Sequence, residues 1–356
     1  MPTEHPVPET RVLAIASHVV SGHVGNKIAV FAMQSLGCDV AALNTVQFSN
    51  HTGYRQWKGT RITGDELWEL YEGLRQSYLN EFDMMLSGYL PGAAAVESVG
   101  RIAEELRHKA AGNPGSFFWV LDPVMGDNGR LYVAPDVLPA YKKQLSHADL
   151  ILPNQFEAEL LSDVKIESMN SLQAAIQAMH ERYKVPHIII TSVSLEHPDH
   201  PMSSLSVVGS SMTSTGQARL FKIVFPAIDC YFSGTGDMFG ALMVVRMREA
   251  ITRSAPDLLH RDSWLSDDSV AAVDLPLARA AEKVLASMHE VLAKTCEGLD
   301  AEMKQAGEKL DRMGITGDEE RAKAFHLLRS GSAELRLPRN VNSLKYPKIE
   351  FRAVPF

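Results

Sequence analysis

The sequence lacks nearly everything that would mark a specialised class of protein. Its three cysteines, Cys38, Cys230 and Cys296, are far apart and form no C-x-x-C. That argues against a disulfide scaffold or a cysteine zinc site and fits a reducing compartment. No apolar run is long enough to cross a bilayer, and Met1 to Thr10 is rich in Pro and Glu rather than apolar, so neither a membrane span nor a secretion signal is expected. Without that signal, the acceptor pattern Asn50-His51-Thr52 reads as chance. A basic excess is also missing. The net charge is −8 and the pI near 5.9, which offers no surface for nucleic acid or an anionic membrane. No H-E-x-x-H exists to hold zinc. Gly234, Gly236 and Gly240 are spaced one residue too long for a dinucleotide fingerprint, and no Lys-Ser or Lys-Thr follows them as in a Walker A loop.

What is present is an ordinary cytoplasmic globular chain, 45% hydrophobic and 22% charged. Short apolar runs at 11–16, 39–43, 84–86, 117–121, 150–152 and 187–190 alternate with helical periods. The helices include one with Ile28, Phe31, Ala32 and Leu36 on a single face, one from 64 to 78, and one from 93 to 110. This alternation predicts an α/β fold, a mostly parallel sheet covered by helices on both faces. Later come a hairpin (205–208 with 220–224) and an amphipathic helix through Leu277, Ala281, Val284, Met288 and Val291. Two short strands are expected in the tail, at 334–337 and 349–351. Residues 46–57 have no helical period and read as a loop or small flap. Residues 252–272 read as a surface loop, and the charged stretch 298–324 as solvated helix or loop. No repeat or linker appears, so one domain over 1–356 is expected, with 1–10 flexible.

In such sheets ligands bind outside the carboxyl ends of the strands, which groups Ser17, Tyr89, Asp122, Asn154 and Thr191. Phe232-Ser233-Gly234-Thr235-Gly236-Asp237 opens a buried helix, and free N–H groups at a glycine-rich helix start attract anions, phosphate above all. A carboxylate there repels an anion unless it has another task, such as taking a proton from an attacking hydroxyl. The same letters also suit a plain turn with Asp237 at the helix start. Asp122-Pro123-Val124-Met125-Gly126-Asp127 sets two carboxylates on a turn, which suits magnesium or simple capping. Asn154-Gln155-Phe156-Glu157 has the spacing of a capping box, which does not exclude contact with a metal-bound water. His18 and His51 have no partner at metal spacing and read as substrate-contact or core residues.

Six stretches together resemble the eukaryotic pyridoxal kinases of the ribokinase-like superfamily: Ser17-His18-Val19, Gly25-Asn26, Val46 to Tyr54, Asp122 to Asp127, Pro153 to Leu161, and Gly234 to Asp237. Val46 to Tyr54 narrows the match from the superfamily to the family. The likeness runs from about residue 11 to the tail, including Glu334-Leu335-Arg336, with insertions at 252–272 and 298–324. It implies ATP-dependent phosphorylation of the 5′-hydroxymethyl group of pyridoxal, pyridoxine or pyridoxamine in vitamin B6 salvage. Asp237 would be the base, and the N–H groups of Gly234, Thr235 and Gly236 the anion hole. Ser17, Val24, Val46, His51, Thr52 and Tyr89 would surround the vitamer, under a flap formed by Thr52 to Trp57. Asp122, Asp127 and Glu157 would face Mg2+ or another divalent cation, and Asn154 the metal and phosphates. Tyr132 would sit near the phosphates, and Thr191, Ser192, Phe232 and Thr235 on the nucleotide. The family also suggests a homodimer, and the location expected from the sequence is the cytoplasm, with the nucleus as a second compartment to test. Related enzymes often carry Thr where this chain has Leu152, so a K+ site would rest on the Leu152 carbonyl. The rivals are a kinase of another hydroxymethyl heterocycle, such as hydroxymethylpyrimidine, and a catalytically idle B6-binding protein.

Overall fold

The computed structural model describes residues 5–195 and 203–356. Met1 to Glu4, part of the segment expected to be flexible, lies outside the described residues, while Val7 and Thr10 are buried.

In chain order the elements are β1 (Arg11–Val19), α1 (Asn26–Ser35), β2 (Asp39–Phe48), β3 (Gly59–Arg61), α2 (Gly64–Gln76), β4 (Met84–Ser87), α3 (Ala93–Ala110) and β5 (Phe118–Leu121). A two-stranded ribbon, β6 (Gly126–Asp127) with β7 (Arg130–Leu131), precedes α4 (Val137–Gln144), β8 (Leu150–Ile151), α5 (Gln155–Ser162), α6 (Met169–Tyr183) and β9 (His187–Val193). Then follow β10 (Ser204–Met212), β11 (Ala218–Pro226), α7 (Thr235–Ser254), α8 (Pro276–Met303), α9 (Ala306–Arg312), α10 (Asp318–Ser332), α11 (Val341–Lys345) and β12 (Val354–Pro355).

One ten-stranded sheet runs β12-β11-β10-β9-β8-β5-β4-β1-β2-β3. Its middle, from β9 through β2, is parallel, and the flanking strands are antiparallel. Strand alternation sorts the core into two layers. Val12, Ala14, Phe118 and Val120 face α1, α7 and α8, whereas Leu13, Ile15, Trp119 and Leu121 face α2 to α6. Because β1, β4, β5 and β8 are parallel, their carboxyl ends emerge on one edge, and the α7 N-terminus meets them there.

Several sequence expectations change. Val46 to Phe48 is strand, not loop: β3 pairs with it, Val46 and Phe48 point inward, and Gln47 points out. The flap is confined to the 3₁₀ turn Thr52–Tyr54 and its flanks. The loop at 252–272 is not merely surface. Trp264 is buried, stacks on Phe118 at 4.2 Å and donates its indole N–H to the Gly115 carbonyl at 2.8 Å. Residues 298–324 take the helical one of the two forms expected for them, in α8, α9 and the start of α10. Neither tail stretch becomes a strand. Leu335 and Leu337 plug into the core instead, and β12 caps the β11 edge.

Candidate active site

The site is assembled from strand ends and one helix start. Gly234 caps α7 in the left-handed region, at φ 83°, which only glycine adopts without strain. Helix α7 therefore begins with the N–H groups of Thr235, Gly236 and Asp237 facing outward without helical partners. Gly25, at φ 54°, starts α1 hard against the end of β1; an added Cβ would lie 2.0 Å from the Ser17 carbonyl oxygen. Its backbone N–H faces the Asp237 carboxylate. On the other side Asp237 is flanked by Gly88, where an ideal Cβ would sit 3.8 Å from Oδ1. Asp122 stands at the end of β5, and its Oδ2 would be 3.6 Å from a Cβ on Gly236.

Two cavities meet at this point. One, of about 300 Å³, contains Asp122, Asp127, Tyr132, Asn154, Glu157, Thr191 and Ser192 in its wall, with Gly234 to Asp237 as its floor. The other, of about 600 Å³, is lined by Ser17, Val24, Val46, His51, Thr52 and Tyr89. Gly234, Asp237, Asp127 and Tyr132 belong to both. The structure thus brings together each strand-end residue and each residue of the Val46–Thr52 stretch singled out above. Phe232 is the exception to the expected division. It faces the larger cavity and a third, apolar space of about 190 Å³ that also includes Leu205, Phe225 and Leu292.

The carboxylates have an unusual balance. Asp122, Glu157 and Asp237 have no Lys, Arg or His paired with them among the described residues. Burial, then the charges of Glu157 and Asp237, hold Asp122 well above the usual carboxylate range. Burial also raises Asp237, against the opposing pull of the Gly25 N–H. Glu157 is pushed up to about 7 by burial, although the N–H groups of Met125, Asn154 and Gly126 stabilise its charge. It completes the capping box: Glu157 accepts from the Asn154 N–H at 2.9 Å, and Asn154 Oδ1 accepts from the Glu157 N–H at 2.9 Å. Glu157 Oε1 also accepts from the Met125 N–H at 2.8 Å and so fixes the Asp122–Asp127 turn. Asp127 is exposed and accepts from the Asn128 N–H and side-chain amide. Asp122, Asp127 and Glu157 do not close on a common point. Among the described residues no three His, Cys, Asp or Glu side chains form a metal cage.

Sequence reasoning missed part of the larger cavity: Phe48, Arg61 and Tyr231 also line it. The period-two pattern of β2 would have turned Phe48 inward. Arg61 and Tyr231 carry no such signal. Glu334 was visible only as one letter of the tail, and its contacts with the flap depend on the whole fold.

A half-buried carboxylate at a glycine-capped helix start, shared by two cavities on the carboxyl edge of a parallel sheet, is the arrangement of the ribokinase-like kinases. The family model described as phosphomethylpyrimidine kinase matches residues 87–250. The human pyridoxal kinase is 38% identical over 84% of this chain and 89% of its own length. The Arabidopsis thaliana pyridoxal kinase is 32% identical over 96% and 94%. The Leishmania donovani pyridoxal kinase, solved in complex with ADP and pyridoxamine, superposes with a TM-score of 0.76 at 29% identity, covering 98% of this chain and 100% of that one. The chain belongs to the pyridoxal kinase family.

Proposed function

We propose that this chain transfers the γ-phosphoryl group of ATP to the 5′-hydroxyl of a B6 vitamer, with Asp237 as the base. The observation that carries this reading is the position of Asp237 where the two cavities join. The vitamer occupies the larger cavity, against Ser17, Val24, Val46, His51, Thr52 and Tyr89. The triphosphate lies in the smaller one, beside Asn154, Tyr132, Thr191, Ser192 and Thr235, with Phe232 toward the base. Asp237 then accepts the proton as the hydroxyl attacks phosphorus, and the N–H groups from Gly234 to Gly236 hold the developing charge. The Thr52–Trp57 flap covers the site and limits transfer to water. The unbroken sheet supports reading the chain as one kinase domain, and family likeness supports a homodimer; the sparse, unpaired cysteines favour the cytoplasm.

A divalent cation fits this site. Asp122 is a desolvated carboxylate with no basic partner among the described residues, and the wall around it is anionic. When bound, Mg2+ would neutralise phosphate charge. Asp122 would hold it directly, while Glu157, already accepting backbone N–H groups, would act through water, as would Asp127. Asp122→Asn is expected to raise the magnesium concentration for half-maximal rate about tenfold or more, because one of the few carboxylates available to Mg2+ is lost. An unchanged magnesium dependence would remove Asp122 from that role.

The reading is tested by incubating the purified protein with ATP, magnesium and a panel of hydroxymethyl heterocycles. Pyridoxal, pyridoxine and pyridoxamine should yield 5′-phosphates, and hydroxymethylpyrimidine little or none. Preference for the pyrimidine would reassign the substrate, and no product from any compound would leave only a binder. The same assay in potassium, sodium and tetramethylammonium salts addresses K+. Faster turnover in potassium is expected from a site built on the Leu152 carbonyl; equal rates would dismiss it.

A further inference from the structure

The carboxylate of Glu334, some 280 residues from the flap in sequence, is the hub of a small network beneath it. Its Oε1 accepts from Tyr54 Oη at 3.0 Å and lies 3.1 Å from His51 Nε2, while Oε2 accepts from the His23 N–H at 2.6 Å. Space for the carboxylate exists because residue 22 is glycine, at φ 102°, where a Cβ would sit 2.4 Å from Glu334 Oε1. The hub is firmly mounted. Leu335 and Leu337 are buried on its C-terminal side, and the Arg336 N–H donates to Thr295 Oγ1 on α8. Helix α10 grips the flap a second time, through His326 Nε2 and the Gly53 carbonyl at 3.0 Å.

His51 is the residue of this network that reaches the larger cavity. Its Nδ1 accepts the Gly53 backbone N–H at 3.1 Å. A backbone N–H is always a donor, so Nδ1 must present its lone pair. Nε2 then carries the hydrogen and points it at Glu334, which can only accept. Both ring nitrogens are thereby engaged within the protein. With both nitrogens taken, His51 has no ring nitrogen left to offer a ligand in the larger cavity.

Building on the vitamer-kinase reading above, we infer that Glu334 is a positioning residue of the vitamer site, holding the tilt of His51 through its Nε2–H and anchoring the flap through Tyr54. It touches neither cavity's phosphate-side floor, so its influence falls on vitamer binding rather than on ATP. In Glu334→Gln one of the two acceptor oxygens becomes an N–H₂ donor facing a donor, and the charge that strengthens the bonds from His51 and Tyr54 is gone.

The test uses the full chain. Glu334→Gln should raise KM for pyridoxal about tenfold, the scale of one lost charge-assisted hydrogen bond, with KM for ATP and kcat nearly unchanged. In His51→Phe the same Glu334 substitution should add much less, because the two act together. Long-range proton–nitrogen spectra of the His51 ring should show the Nε2–H tautomer in the parent protein, and the Nε2–H proton should move upfield in Glu334→Gln as the charged acceptor is lost. This readout needs no turnover, so it separates failure of this inference from failure of the assigned activity. Unchanged pyridoxal KM, additive effects with His51→Phe, or an Nδ1–H tautomer in the parent would each overturn it. So would an equal rise in both KM values with a lowered melting temperature, which would mark Glu334 as merely structural.

Discussion

Asp237→Asn should lower kcat by about 10²–10⁴-fold, the usual contribution of a positioned base, while ATP and pyridoxal still bind. Asn keeps the size of the side chain and its contact with Gly25 but cannot take a proton. The environment of Asp237 adds a pH signature. Burial holds its carboxyl above the ordinary range, and a base works only when ionised. In the parent, kcat/KM should therefore fall as the pH is lowered, with an apparent pKa above that of a free carboxylate, and this limb should be lost in the residual activity of the variant. Titration calorimetry with each ligand and a pH–rate profile check both parts. Near-normal turnover would remove Asp237 as the base.

Gly234→Ala should lower kcat by about 10²–10³-fold, comparable to losing a donor from an oxyanion hole. At φ 83° an L-residue is strained by roughly 1–2 kcal/mol. The new Cβ would also lie 2.6 Å from the His23 carbonyl oxygen and 2.6 Å from Ile28 Cδ1. The cap must shift, and the N–H groups of Thr235 and Gly236 move with it, away from the transferred phosphoryl. KM for pyridoxal should change far less than kcat, since most of that cavity's wall is elsewhere. Steady-state kinetics beside a thermal melt separates the two effects: a folded variant with near-parent kcat would show that the cap does not set the anion hole.

Much of this was legible beforehand because it is local. Apolar runs of four or five residues between helical periods specify buried parallel strands, and strand-end rules then point to Asp122, Asn154 and Thr191 without any coordinates. The Gly234–Asp237 turn carries its chemistry in consecutive letters. The failures concern features decided by distant partners. Val46 to Phe48 reads as loop because it runs into a polar, aromatic stretch without period, whereas its strand conformation comes from distant partners, β1 and the three-residue β3. Trp264 sits in a polar stretch, and partners distant in sequence, the Phe118 ring and the Gly115 carbonyl, account for its burial. Glu334-Leu335-Arg336-Leu337 alternates like a strand, yet two buried leucines fix the segment and turn Glu334 toward the flap. The apolar third cavity escaped as well, since Leu205, Phe225 and Leu292 read as ordinary core until β10, β11 and α8 are placed side by side.

The central claim is that the shared carboxylate directs phosphoryl transfer to a vitamer hydroxyl rather than to water. Phosphorus NMR of a single turnover, with ATP below the enzyme concentration and pyridoxal and magnesium in excess, tests it directly. The account predicts that the γ-phosphoryl signal is replaced by a phosphate monoester on pyridoxal, in equal amount to the ADP formed. ADP accompanied by inorganic phosphate, or ATP left intact, would contradict it.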